Sequence, residues 1–134
     1  MRIWRGLSVL FISLVLVSCA TTDNRSRGGG WVLLGEREAD FRIDRDRINV
    51  GRREGAFREI RIAVRGASLE MYNMVVTFGD GSTFSPNIRT RFEVNSWSRD
   101  LDLPGDRRVI RSVDFTYRSI NRREGRATVT LYGR

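Results

Sequence analysis

The chain of 134 residues has no histidine, no lysine and a single cysteine, Cys19. Without histidine it lacks the commonest general base and the commonest metal ligand. With one cysteine no disulfide can form within the chain, although small secreted domains often depend on them. If Cys19 is lipidated, no thiol nucleophile remains either. Without lysine, all 24 basic residues are arginine, set against 16 acids. Function would rarely forbid every lysine, so mutational bias in a GC-rich genome accounts for this better than selection. No stretch shows a sustained helical period with caps, which argues against long helices in the mature chain.

What is present begins with an address. A basic start (Arg2, Arg5) precedes an apolar run from Leu7 to Val17, the layout of a secretory signal and too short to span a bilayer comfortably. Leu16-Val17-Ser18-Cys19 resembles the lipobox of a bacterial lipoprotein, which makes Cys19 the acylated first residue of the mature chain. The plainer alternative is an ordinary cleaved signal with a coincidental cysteine. Acyl chains on Cys19 would give a durable membrane anchor. Ala20 stands where an aspartate commonly retains such proteins in the inner membrane, so the expected location is the periplasmic face of the outer membrane. The organisation is then a signal peptide over 1–18, a lipidated flexible tether over 19–30 ending in three glycines, and one folded domain over 31–134.

Loss of residues 1–18 leaves 116 residues, one domain's worth, with 22 arginines against 16 acids and a formal charge of +6. A basic envelope protein can meet phosphates of lipid headgroups, lipopolysaccharide or nucleic acid, and the planar arginine fork suits them. No aromatic platform of the RNA-recognition type is visible, so nucleic acid is not expected as a partner.

Within the domain the dominant period is two. Ile60, Ile62 and Val64 alternate with Arg61, Ala63 and Arg65. Val109, Val113, Phe115 and Tyr117 share one parity, and so do Ala127, Val129 and Leu131. Each pattern is that of a strand with one wet and one buried face. Gly66-Ala67 separates a strand over Phe57–Arg65 from one over Ser68–Phe78. Gly79-Asp80-Gly81 marks a tight turn, Pro104-Gly105 the middle of a type II turn, and Arg122-Arg123-Glu124-Gly125 the last connection. Parity changes around Asn73, the sign of a β-bulge. Short strands with turn signals between them predict an all-β antiparallel sandwich, jelly-roll-like or related, with Trp31, Phe57, Phe78, Phe92, Phe115 and Tyr117 as the bulk of its core.

Candidate sites are few. Asp40, Asp44 and Asp46 could gather calcium, but Arg42, Arg45 and Arg47 interleave with them, so a self-neutralising loop reads better. Asp100, Asp102 and Asp106 flank the Pro-Gly turn and read as surface residues. No metal site, cofactor or catalytic residue is expected; an Asp/Glu hydrolase acting on glycans is the enzymatic alternative. Trp97, in the polar stretch Asn95-Ser96-Trp97-Ser98-Arg99, either covers one end of the core or stacks on a sugar with Asn95 and Arg99 beside it. The arginine pairs at 52–53, 107–108 and 122–123 sit at predicted turns. Each adjoins an acid (Glu54, Asp106, Glu124), which predicts scattered, locally neutralised charge rather than one basic rim.

Leu33-Leu34-Gly35, Phe57-Arg58-Glu59-Ile60-Arg61-Ile62, Gly66-Ala67-Ser68, Arg108 through Phe115 and Ala127 through Gly133 together resemble the YaaI-like family. These are small exported bacterial proteins classed as a domain of unknown function. The resemblance covers most of residues 31–134 and implies an exported β-rich domain without naming catalytic residues; the lipobox departs from members with plain signal peptides. The expected function is a non-catalytic binding or structural module of the envelope. Its partner would be a glycan, an anionic lipid or lipopolysaccharide, or another envelope protein.

Overall fold

The computed structural model describes residues 30–134, so the leader, Cys19 and most of the tether lie outside the described residues. The strands are β1 (Val32–Glu38), β2 (Asp44–Asn49), β3 (Ala56–Phe57), β4 (Glu59–Arg65), β5 (Leu69–Phe78), β6 (Thr83–Phe84), β7 (Thr90–Phe92), β8 (Ser96–Trp97), β9 (Leu101–Asp102), β10 (Arg108–Ser119) and β11 (Thr128–Gly133). A single 3-10 turn, Arg52–Glu54, is the only helical element among the described residues. The first sheet runs β1-β11-β4-β8, with β9 also on β4; the second runs β2-β10-β5-β6, with β3 on β10 and β7 on β5. All pairings are antiparallel. The protein is an all-β sandwich.

Alternation builds the core. Ile60, Ile62 and Val64 of β4 face Val113, Phe115 and Tyr117 of β10 in one buried cluster, joined by Val129 and Leu131 of β11 and by Leu69, Met71, Met74, Val76 and Phe78 of β5. Burying side chains of this size contributes about 1.5–3 kcal/mol each, which makes this cluster the main source of stability. The parity change in β5 is a bulge: Asn73 pairs with Thr116 and Met71 with Tyr117, leaving Tyr72 as the extra residue. The Gly79-Asp80-Gly81 turn closes as expected, with Gly81 at φ 88° and its N–H donating to the Phe78 carbonyl at 3.0 Å.

Three expectations need correction. Val109 is not on the core face. A second bulge at Arg111, where Ile110 pairs with Phe78 but Ser112 with Thr77, reverses the parity, so Ile110 is buried and Val109 only half-buried. The Phe57–Arg65 strand is two strands. The chain changes sheets at Arg58: Phe57 pairs with Arg108 in the second layer, and Glu59 opens the strand that pairs with β11 and β9 in the first. Trp31 is buried but lies outside the inter-sheet cluster, with its ring under guanidinium groups instead.

The layers come close where β1 passes β2. A Cβ at Gly35 would stand 2.6 Å from Ile48 Cγ2, so only glycine lets the two strands approach there.

Candidate ligand-binding groove

Alternation along β4 buries Ile60 and Ile62 and turns Arg61 outward. The first sheet then assembles aromatic rings around it. Tyr132 pairs with Arg61 across β11, and Ala63 pairs with Trp97 across β8. The Arg61 guanidinium lies 4.3 Å from the ring centre of Trp31, 4.4 Å from that of Trp97 and 6.0 Å from that of Tyr132. Arg134 extends the stack, 4.6 Å from Trp31. Trp97 and Tyr132 touch as a tilted pair with centres 5.3 Å apart.

Each cation–π contact contributes about 0.5–2 kcal/mol, more where water is excluded. The clamp also has a cost. The Arg61 Nε is buried and has no hydrogen-bond partner, a penalty of about 1–3 kcal/mol. Two flanking indoles offset it, and the result is a tryptophan held by a cation rather than by a core.

Backbone bonds fix the rest of Trp97's frame. The Ser98 N–H donates to the Ile62 carbonyl at 2.8 Å, and the Ile62 N–H donates to Ser98 Oγ at 2.9 Å, so a side chain completes the ladder beside the tryptophan. In the turn before β8, Asn95 takes a left-handed φ of 57° and Ser96 Oγ donates to the Glu93 carbonyl at 2.6 Å. Asparagine is the side chain that tolerates that backbone best.

Trp97 remains 47% exposed. Its surface forms part of a groove of about 530 Å³ between residues 87–93 and 96–99. Three arginines line it: Arg89, Arg91 and Arg99. Arg91 Nε pairs with Glu93 at 3.1 Å, and Arg99 Nη2 donates to the Asn87 carbonyl at 3.2 Å, anchoring its fork. Arg89 leans on the Tyr72 ring at 5.8 Å. Behind that ring, the Tyr72 hydroxyl and then Arg118 hold the Glu70 carboxyl below the usual carboxylate range, and Glu70 in turn raises the Tyr72 phenol.

The structure therefore brings Trp97 and Arg99 to one groove, whereas Asn95 shapes the turn beside it and is not part of the lining. Arg61, Arg89 and Arg91 escaped the sequence reading. The outward parity of Arg61 was visible, but its ring partners Trp31, Trp97 and Tyr132 are 30, 36 and 71 positions away along the chain.

The arginine pairs are less scattered than their neighbouring acids suggested. Arg52, Arg107 and Arg108 share a second cleft of about 420 Å³ with Phe78 and Asp80. Arg122 lies beyond the other end of the twelve-residue β10, over Phe41. Arg52 joins the 107–108 pair because the 3-10 turn that carries it is tied to the start of β10, where the Gly51 N–H donates to the Ile110 carbonyl at 3.0 Å. Arg108 is fully engaged there: it stacks on Phe78 at 3.9 Å, meets Asp80 at 3.2 Å, and donates to Ser82 Oγ and the Pro104 carbonyl.

The acids around Asp40 also have separate roles. Asp46 accepts the Tyr117 hydroxyl at 2.7 Å, and Asp40 faces Arg126 at 3.7 Å. Asp106 pairs with Arg58 at 3.1 Å, and Asp100 lies 3.7 Å from Arg134.

A two-layer antiparallel sandwich with an arginine-clamped tryptophan on its first sheet is thus the class of protein described. The chain belongs to the family described as domain of unknown function DUF2541, whose pattern matches residues 8–133. No curated protein matches it. Among solved structures, the tobacco streak virus coat protein is similar at 17% identity and a TM-score of 0.36, over 78% of this chain and 85% of that one. A likeness that loose says nothing more about this chain.

Proposed function

We propose that the chain is a lipid-anchored, non-catalytic binding module of the bacterial envelope, held by Cys19 at the periplasmic face of the outer membrane, and that its ligand is a glycan seated against Trp97. The observation that carries this reading is the half-exposed indole, clamped by Arg61 on the wall of a groove that mixes apolar rings with arginine side chains. A flat, fixed aromatic surface beside hydrogen-bonding side chains is what a sugar ring stacks on. Glu93 is the one carboxylate in the lining, and it is engaged by Arg91. Glycoside hydrolysis needs two carboxyl groups across the bond, so the groove favours binding over turnover. Export is supported by the leader itself: the basic start, the apolar run from Leu7 to Val17 and the lipobox-like Leu16-Val17-Ser18-Cys19.

The test is a glycan array probed with residues 20–134, which contain both sheets and the whole core. Binding should fall at least about tenfold in Trp97→Ala, the scale of a lost stacking contact. Glycan turnover abolished by a single Asp or Glu substitution would contradict the non-catalytic reading.

A further inference from the structure

We infer that the groove selects acidic glycans, sugars carrying a carboxylate or a phosphate, over neutral ones. The inference rests on the glycan reading at Trp97 and adds the ligand's charge. Arg61 lies over the indole, and three further arginines, Arg89, Arg91 and Arg99, line the groove to which the indole contributes. Glu93 balances Arg91. Among the described residues neither Arg89 nor Arg99 forms an ion pair; Arg89 still lies in the field of Glu70, whose carboxyl it helps to lower, which makes Arg99 the freer of the two. Arg99 spends one donor on the Asn87 carbonyl, which fixes the fork and leaves its other N–H groups for a ligand. A guanidinium fork meets a carboxylate or phosphate with two parallel hydrogen bonds, so an anchored fork beside a stacking surface reads a charged group on a ring. The second cleft lacks the stacking surface: Arg107 is anchored on the Ala56 carbonyl much as Arg99 is on Asn87, but the cleft's one ring, Phe78, is buried under Arg108, which is itself spent on Asp80, Ser82 and Pro104.

Residues 20–134 allow a direct test, because their only tryptophans are Trp31 and Trp97, both stacked on Arg61. Intrinsic fluorescence would be titrated with oligogalacturonate, with its fully methyl-esterified neutral form, with a phosphorylated maltooligosaccharide and with inorganic phosphate. An acidic oligosaccharide should bind at least about tenfold more tightly than the methyl ester, and more weakly as salt rises. The two acidic probes show whether carboxylate or phosphate is preferred. Arg99→Gln and Arg89→Gln should each weaken acidic binding about tenfold with an unchanged circular dichroism spectrum. Arg52→Gln, the same charge change in the distant cleft, should leave it intact.

Equal affinity for acid and methyl ester would overturn the inference while the glycan reading stands. Acidic binding that survives Trp97→Ala but fails in Arg99→Gln would overturn the stacking and leave the charge selectivity standing. Inorganic phosphate binding as tightly as the sugars, or no acidic probe binding at all, would overturn the inference.

Discussion

Arg61 shows how one side chain can be both structural and exposed to function. Its guanidinium is planar and weakly hydrated, so it fills the slot between Trp31 and Trp97 as an ammonium cannot. Arg61→Lys should therefore cost about 1–2 kcal/mol in urea unfolding despite keeping the charge. An unchanged midpoint would mean that the stack contributes nothing. Tyr117 is a second informative residue. Burial first, and then its hydrogen bond to Asp46, raise the phenol above its ordinary value of 10.0. The unfolded chain loses this proton near pH 10 while the folded chain keeps it. Above that pH the folded state binds more protons, and stability falls as pH rises; below it the contribution is fully present. Tyr117→Phe should flatten the fall in urea midpoint between about pH 9 and about pH 11. A slope identical to that of the parent would contradict the assignment.

At the scale of elements, Ser119 joins the two sheets. It ends β10, and its hydroxyl donates to the Ala39 carbonyl at 2.8 Å and accepts the Ala127 N–H at 2.9 Å. Those two partners lie just after β1 and just before β11, strands of the other sheet. Ser119→Ala leaves both groups buried without this partner. It should cost about 1–3 kcal/mol and speed hydrogen exchange at the Ala127 amide. Unchanged protection there would show that the hydroxyl is dispensable. The strands themselves were legible because period two is strong in β4, in β10 from Val113 to Tyr117 and in β11. The β5 bulge could be read because the apolar positions of the Leu69–Phe78 run change parity around Asn73. The bulge at Arg111 could not, since Val109 and Ile110 are both apolar and either parity fits. The change of sheet at Arg58 left a trace, the parity shift from Phe57 to Ile60, but a single shift looks the same as an irregular strand.

At the scale of the molecule, the sequence could show an outward Arg61 and an odd Trp97, but not that they meet. Strand order decides that, by laying β8 against β4 and the start of β1 across β11. The anchor is tested separately from the fold. Labelling cells with an alkyne fatty acid should mark the parent chain and not Cys19→Ala, and equal labelling of both would contradict the lipoprotein proposal. The central claim is that Trp97 receives the ligand. Two indole N–H resonances are expected from residues 20–134, assigned by Trp97→Phe. Titration with an acidic oligosaccharide should shift the Trp97 resonance saturably and Trp31 far less. Saturable binding that leaves Trp97 unmoved, or that maps to the cleft of Arg52 and Arg107, would contradict the account.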